Sequence, residues 1–145
     1  MSRPCCKIIL IIGAGGAFKQ VLINSGVGNA IAEIATGANI NIILFAWLVA
    51  ALIRVATGSA TVAMTTAAGI VAPVLAMTPG VNVELVVLAT GAGSIVLSHV
   101  NDAGFWMVKE FFNMTVSQTL KSWTVLETIL SVTGLVLALV LNVIV

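Results

Sequence analysis

The chain has 145 residues, 60% of them hydrophobic and 8% charged, with a formal net charge of +1. Soluble domains carry about 25% charged residues, so this composition belongs to an integral membrane chain, of a length that fits one domain spanning 1–145. A near-neutral balance offers no basic patch to nucleic acid, and the adjacent Cys5 and Cys6 make neither a disulfide framework nor a metal site.

The start imitates the charged and apolar regions of a signal peptide. Its apolar run, however, stops at a glycine cluster and Lys19 follows soon after, so it reads as the abrupt beginning of a membrane helix. Residues 8–18 (IILIIGAGGAF) are too short to span and look like the tail of a helix without its front. Gly13, Gly15 and Gly16 are followed by Phe18 where a dinucleotide fingerprint needs its third glycine. Lys19 has no preceding glycine, so the phosphate-loop pattern fails too. Close helix packing in lipid is the better reason for these glycines. Residues 21–38 carry Asn24, Ser25, Gly26, Gly28 and Asn29, then a short helical piece with Glu33, and form an interfacial connector.

Residues 40–53 (INIILFAWLVAALI) are apolar apart from Asn41, and 67–77 are apolar again. Between them lies 54–69, RVATGSATVAMTTAAG, a run of hydroxyl and small residues. Neither arm comfortably reaches the roughly 20 residues that cross a bilayer. Two readings follow: a long membrane helix followed by a second, with a buried polar seam, or a hairpin whose polar turn sits at membrane depth. Backbone of the second kind survives only where protein or a watery cavity satisfies it. Pro73 is expected to bend or end the second arm, ahead of the Thr78-Pro79-Gly80 turn.

Residues 82–98 form a third apolar segment, interrupted by the polar knot 99–104 (HVNDAG) and resumed by the aromatic and charged 105–112 (FWMVKEFF). Half-helix, polar break and half-helix thus occur twice. Such paired interruptions are a pointer to a transporter's binding site, where helix ends offer partial charges to substrate and ions. Residues 113–123 suit the membrane surface, with Thr115 as a helix cap, and 124–145 is the cleanest transmembrane helix, charged only at Glu127. Lys109 and Lys121 place the preceding loop in the cytoplasm. About four membrane segments result, two of them interrupted. Glu33, Glu84, Glu110 and Glu127 fall near segment ends and read as solvated. Trp47, Trp106 and Trp123 read as interface anchors, Trp106 alternatively as a wall of the site.

GAGGAFKQVL at 13–22, RVATGSATVA at 54–63, SHVNDAGFWMVKEFFN at 98–113 and KSWTVLETI at 121–129 together resemble the gluconate permease family of proton symporters. The resemblance runs from residue 8 to the end and covers only the C-terminal third of such proteins; residues 1–7 do not continue the pattern. It implies an all-α integral membrane fold of the ion transporter superfamily, here a bundle fragment with a re-entrant helical hairpin and a broken transmembrane helix. It further implies a multi-pass protein of the bacterial inner membrane that imports gluconate or a related sugar acid with protons and needs no cofactor. Inverted repeats build the site in transporters of this kind, so a separate N-terminal half or a second copy is the expected partner. The alternative is a non-transporting remnant or helix-pairing module.

Gluconate is a carboxylate with a row of hydroxyls. Thr57, Gly58, Ser59 and Thr61 offer hydroxyls and the exposed N–H groups of a helix start, with Ser98 and Asn101 as further contacts; the opposing reading has the hydroxyls bonded back to their own helix. Arg54 is the only charge between Glu33 and Glu84 and either attracts the anion or snorkels to the interface. His99 and Asp102, three apart and on one face if the chain is helical there, are the proton-coupling candidates. Ser98, His99 and Asp102 match a hydrolase triad by residue type, but a triad is defined by geometry, and neighbours on one broken helix do not supply it. No enzyme is expected.

Overall fold

The computed structural model describes residues 41–144. The glycine-rich segment 8–18, the connector 21–38 with Glu33, and Cys5 and Cys6 lie outside the described residues. Five helices follow in order: α1 (Ile42–Thr57), α2 (Ala60–Met77), α3 (Val83–Gly93), α4 (Ala103–Phe111) and α5 (Val116–Ile144), with no strand among the described residues.

The Asn41 side chain starts α1 by accepting the Ile43 N–H at 2.9 Å. The helix stops at Gly58, whose φ of 70° is left-handed and whose N–H returns to the Arg54 carbonyl at 2.8 Å. A left-handed residue at this position satisfies an otherwise orphaned carbonyl, and glycine adopts it without a Cβ penalty. Ser59 is extended and caps α2, its hydroxyl accepting the Val62 N–H at 3.4 Å. The polar interruption expected over 54–69 therefore narrows to Gly58 and Ser59. Its flanks are helical because Thr57 and Thr65 turn their hydroxyls onto the carbonyls of Ile53 and Thr61, each at 2.8 Å.

Pro73 does not end α2, which continues to Met77. Proline removes one helix hydrogen bond, but Val71 and Val74 on either side of it are buried to 2% and 1% exposure and keep the helix seated. At 1.5 Å per residue the 16 residues of α1 extend roughly 24 Å and the 18 of α2 roughly 27 Å.

Asn82 caps α3 through the Leu85 N–H at 3.2 Å. The helix unwinds after Gly93: the Ser94 N–H is shared between the carbonyls of Thr90 and Gly91, and Val96 N–H reaches only back to Gly93. Leu97 then takes a left-handed φ of 48°, which for a residue with a Cβ costs about 1–2 kcal/mol. Asp102 starts α4 by accepting the Gly104 N–H at 2.9 Å. Thr115 and Gln118 form a capping box at the head of α5, as the Thr115 assignment foretold. That helix starts earlier than residue 124, however, because a π-helical turn at Leu120–Thr124 carries it through the segment expected to lie on the surface.

α2 and α5 are long and apolar enough to cross a membrane. α3 sits among α1, α2 and α5, and small residues bring the backbones close. A Cβ on Gly93 would lie 2.4 Å from the Trp47 carbonyl oxygen, and one on Gly134 would lie 2.9 Å from the Ala92 Cβ. Ala46, Ala50 and Ala89 are fully buried in the same seams. Leu52, Val87, Leu137 and Val143 are exposed on the outside, the pattern of helices whose outer faces meet lipid. The described residues form an all-α bundle with the outer surface of a membrane protein.

Candidate functional site

The two places where helices stop meet each other. A Cβ on Gly58 would lie 2.3 Å from the Asn101 carbonyl oxygen, so the tip of the α1–α2 hairpin rests on the backbone of the α3–α4 break. Asn101 returns the contact, its side-chain N–H donating to the Val55 carbonyl at 3.0 Å.

Arg54 fastens this junction. Its side chain is 3% exposed; Nη1 donates to the Gly58 carbonyl and Nη2 to Asp102 Oδ2, each at 2.5 Å. One guanidinium thus caps the end of α1 and pairs with the carboxylate that starts α4. The snorkelling alternative for Arg54 is overturned: a cation with acceptors inside the bundle has no reason to reach for the interface. Its Nε is buried without a hydrogen-bond partner among the described residues.

Asp102 is engaged on both oxygens. Oδ2 accepts from Arg54 and from the Ser98 hydroxyl, Oδ1 from the Gly104 N–H. Ser98, 1% exposed, also accepts the Trp123 indole N–H at 3.0 Å, and its carbonyl accepts the Thr124 hydroxyl. The π turn of α5 is what presents Trp123 and Thr124 to the break together. The connected set therefore runs from α1 through the break to α5, with Arg54 Nε as its one buried donor left unsatisfied among the described residues.

His99 does not join it. Its Nδ1 lies 2.7 Å from the Leu97 carbonyl, and the shared helix face expected for His99 and Asp102 is absent because the chain is turned, not helical, between Gly93 and Ala103. Of the four hairpin residues, Thr57 bonds its own helix, Gly58 forms the turn and Ser59 the cap, while Thr61 is exposed at the start of α2. Among the described residues no group of three or more histidine, cysteine or acidic side chains is arranged to hold a metal.

Two of the tryptophans differ from their expected place as interface anchors. Trp47 donates its indole N–H to Ser131 Oγ at 3.0 Å and Trp123 to Ser98, since a buried indole needs an acceptor. Trp106 is 42% exposed, donates to the Val100 carbonyl at 2.8 Å and meets Phe105 edge-on at 5.7 Å. Glu110 pairs on the outside with Lys109 at 2.7 Å. Glu127, expected to be solvated near a segment end, is half-buried well inside α5, within electrostatic reach of Arg54 and Asp102. Sequence reasoning missed Trp123, Thr124 and Glu127 as neighbours of the junction. The signal was their spacing: residues three and four apart on a helix share a face.

Comparison with known proteins follows the same lines. A family model described as GntP family permease matches residues 2–144, reaching back ahead of residue 8, the expected start of the resemblance. The chain is 66% identical over 139 residues to a gluconate permease of Pseudomonas aeruginosa, an alignment covering 96% of this chain and 31% of that protein. It is 56% identical over 138 residues to a high-affinity gluconate transporter of Escherichia coli, covering 95% and 31%. It is 53% identical over 135 residues to the Gnt-II system L-idonate transporter of the same organism, covering 93% and 30%. The chain thus spans about a third of the length of these relatives. No solved structure matches it.

Proposed function

Because the chain belongs to the GntP permease family, we propose that it is the C-terminal part of a secondary active transporter that imports gluconate or a related sugar acid by proton symport across the bacterial inner membrane. The observation that carries this reading is the contact between the two interruptions, Gly58 on Asn101 and Arg54 on Asp102. Irregular backbone at membrane depth is tolerated where it is buried in protein or lines a cavity, and in transporters it is where substrates bind. In this reading α1 and α2 form a re-entrant hairpin, and α3 and α4 are the halves of one broken membrane helix.

The tip of the hairpin then receives the anion. Backbone N–H groups at the start of α2 and the helix dipole favour a carboxylate, the hydroxyls of Ser59 and Thr61 face the sugar-acid hydroxyls, and Asn101 borders them from the break. Thr57 and Ser98 shape the site through the bonds already described. Arg54 and Asp102 hold the two interruptions together and leave one N–H donor, Arg54 Nε, without an acceptor at their junction among the described residues. The remainder of the site comes from the rest of the transporter or from a second copy.

The test is to exchange the aligned segment of the Pseudomonas aeruginosa gluconate permease for this chain and express the chimaera in cells that lack gluconate uptake. Labelled gluconate should accumulate and the accumulation should vanish when the proton gradient is dissipated. A chimaera that reaches the membrane and takes up nothing, while the unaltered permease works beside it, removes the reading. Ser59→Ala in the chimaera should lower uptake without lowering its abundance in the membrane.

A further inference from the structure

Glu127 is an acidic side chain near the junction that its hydrogen bonds leave unused. It stands 11 residues beyond Val116, roughly 16 Å along the helix, near the start of the apolar part of a helix that is long and apolar enough to cross a membrane. It shares a helix face with Trp123 and Thr124 one turn before it and with Ser131 one turn after it. The first two hold Ser98 in the break and the third holds the Trp47 indole of α1. Glu127 therefore belongs to the inward face of α5, half-buried between those two anchors, and it lies close enough to Arg54 and Asp102 for their charges to act on it.

Among the described residues the charges around it do not balance. α1 offers Arg54, whose guanidinium is already paired with Asp102 from the break. The other group of the break, His99, is turned to the Leu97 carbonyl. α2 has no titratable residue, and α3 has only Glu84 in its first turn, away from the break at its other end. On α4, Lys109 is paired with Glu110, and on α5 itself Lys121 is exposed near the head of the helix. Two carboxyl groups thus share one cation. A second, unpaired carboxylate in such surroundings is costly, whereas the same group carrying a proton is not.

We infer that Glu127 is the carboxyl that carries the co-transported proton. The inference rests on the transport reading above. One proton adds to the carboxylate on entry and leaves it on exit; no other bond is made or broken. Arg54 supplies the coupling, because its buried Nε has no acceptor among the described residues and is the donor that its guanidinium has left for a further anion. An ionised Glu127 and a sugar-acid carboxylate compete for that guanidinium, so protonating Glu127 frees it for the substrate.

The chimaera described above tests this in membrane vesicles with two assays: accumulation driven by a proton gradient, and exchange of labelled for unlabelled gluconate with no gradient, which needs no net proton movement. Glu127→Gln should lose accumulation and keep exchange, and its exchange should no longer depend on pH. Glu127→Asp, which keeps the carboxyl, should keep both. Undiminished accumulation by Glu127→Gln overturns the inference, and so does loss of exchange together with accumulation in a variant as abundant and helical as its parent. If the unaltered chimaera neither accumulates nor exchanges gluconate, the transport reading fails instead. An infrared titration of this chain in lipid vesicles tests the protonation separately: a protonated-carboxyl carbonyl band at neutral pH, missing in Glu127→Gln and kept in Glu127→Asp, shows that Glu127 holds a proton as the inference requires, and the absence of that band overturns the inference whatever the chimaera does.

Discussion

The two interruptions solve one problem in opposite ways. At Gly58 and Ser59 the chain reverses within a single tight turn whose own groups supply most of the caps: the Gly58 N–H returns to Arg54 and the Ser59 hydroxyl caps α2, and only the Val55 carbonyl is met from the break, by Asn101. Between Ser94 and Asp102 the chain wanders, takes a left-handed leucine, and has its polar groups satisfied from afar by Arg54, Trp123 and Thr124. A tight turn is built by backbone conformation and cheap side-chain caps. A long break is built by tertiary contacts, and it is correspondingly more sensitive to substitutions elsewhere in the chain.

That contrast can be broken most severely at the ion pair. Asp102→Asn leaves a guanidinium of 3% exposure without its counter-charge, and breaking such a buried pair costs about 3–5 kcal/mol. The thermal midpoint of helix loss in detergent, followed by circular dichroism, should fall steeply, and membrane abundance should fall with it. Gly58→Ala attacks the place where the two regions touch. It forces a left-handed alanine and sets a Cβ 2.3 Å from the Asn101 carbonyl, for a combined loss of about 2–4 kcal/mol. Protease cleavage between α3 and α4 should accelerate as the break is pushed off the hairpin.

A smaller effect sharpens the contrast from the side of the long break. Ser98→Ala removes the acceptor of the Trp123 indole and a donor to Asp102, worth about 1–3 kcal/mol. With Trp47 and Trp106 replaced by phenylalanine, the emission of Trp123 should shift as its N–H loses its partner. The smallest effect belongs to the tight turn: Ser59→Ala deletes a cap worth about 1 kcal/mol, and amide exchange should quicken at Val62 while residues 94–102 stay protected. Equal losses from Ser98→Ala and Ser59→Ala would erase the distinction between local and distant support.

The sequence announced both interruptions, since polar residues inside apolar segments stand out by composition alone. Gly58 was readable as the turn, Thr115 as a cap, and the membrane character of the whole from its scarcity of charge. What stayed hidden depends on register in space. Thr57 and Thr65 carry the same hydroxyl as Ser59 and differ from it only in the backbone beneath them, so the extent of the turn was overstated. Arg54 and Asp102 are 48 residues apart, and no local pattern links them. His99 and Asp102 have helical spacing in a chain that is not helical there. The π turn at Leu120–Thr124 leaves no mark in hydrophobic periodicity long enough to notice, yet it decides that Trp123 and Thr124 reach Ser98 and that Glu127 faces inward.

The 48-residue separation of Arg54 from Asp102 also sets a clock during synthesis. At about 5–20 residues per second, a growing chain exposes Arg54 for about 2–10 s before its counter-ion exists. Throughout that interval the hairpin carries an uncompensated cation, whose entry into the middle of a bilayer costs at least about 2.5–3.5 kcal/mol. The hairpin is therefore expected to wait at the membrane surface or in the insertion machinery and to enter together with the break, so that a segment made later determines when the first described helices go in.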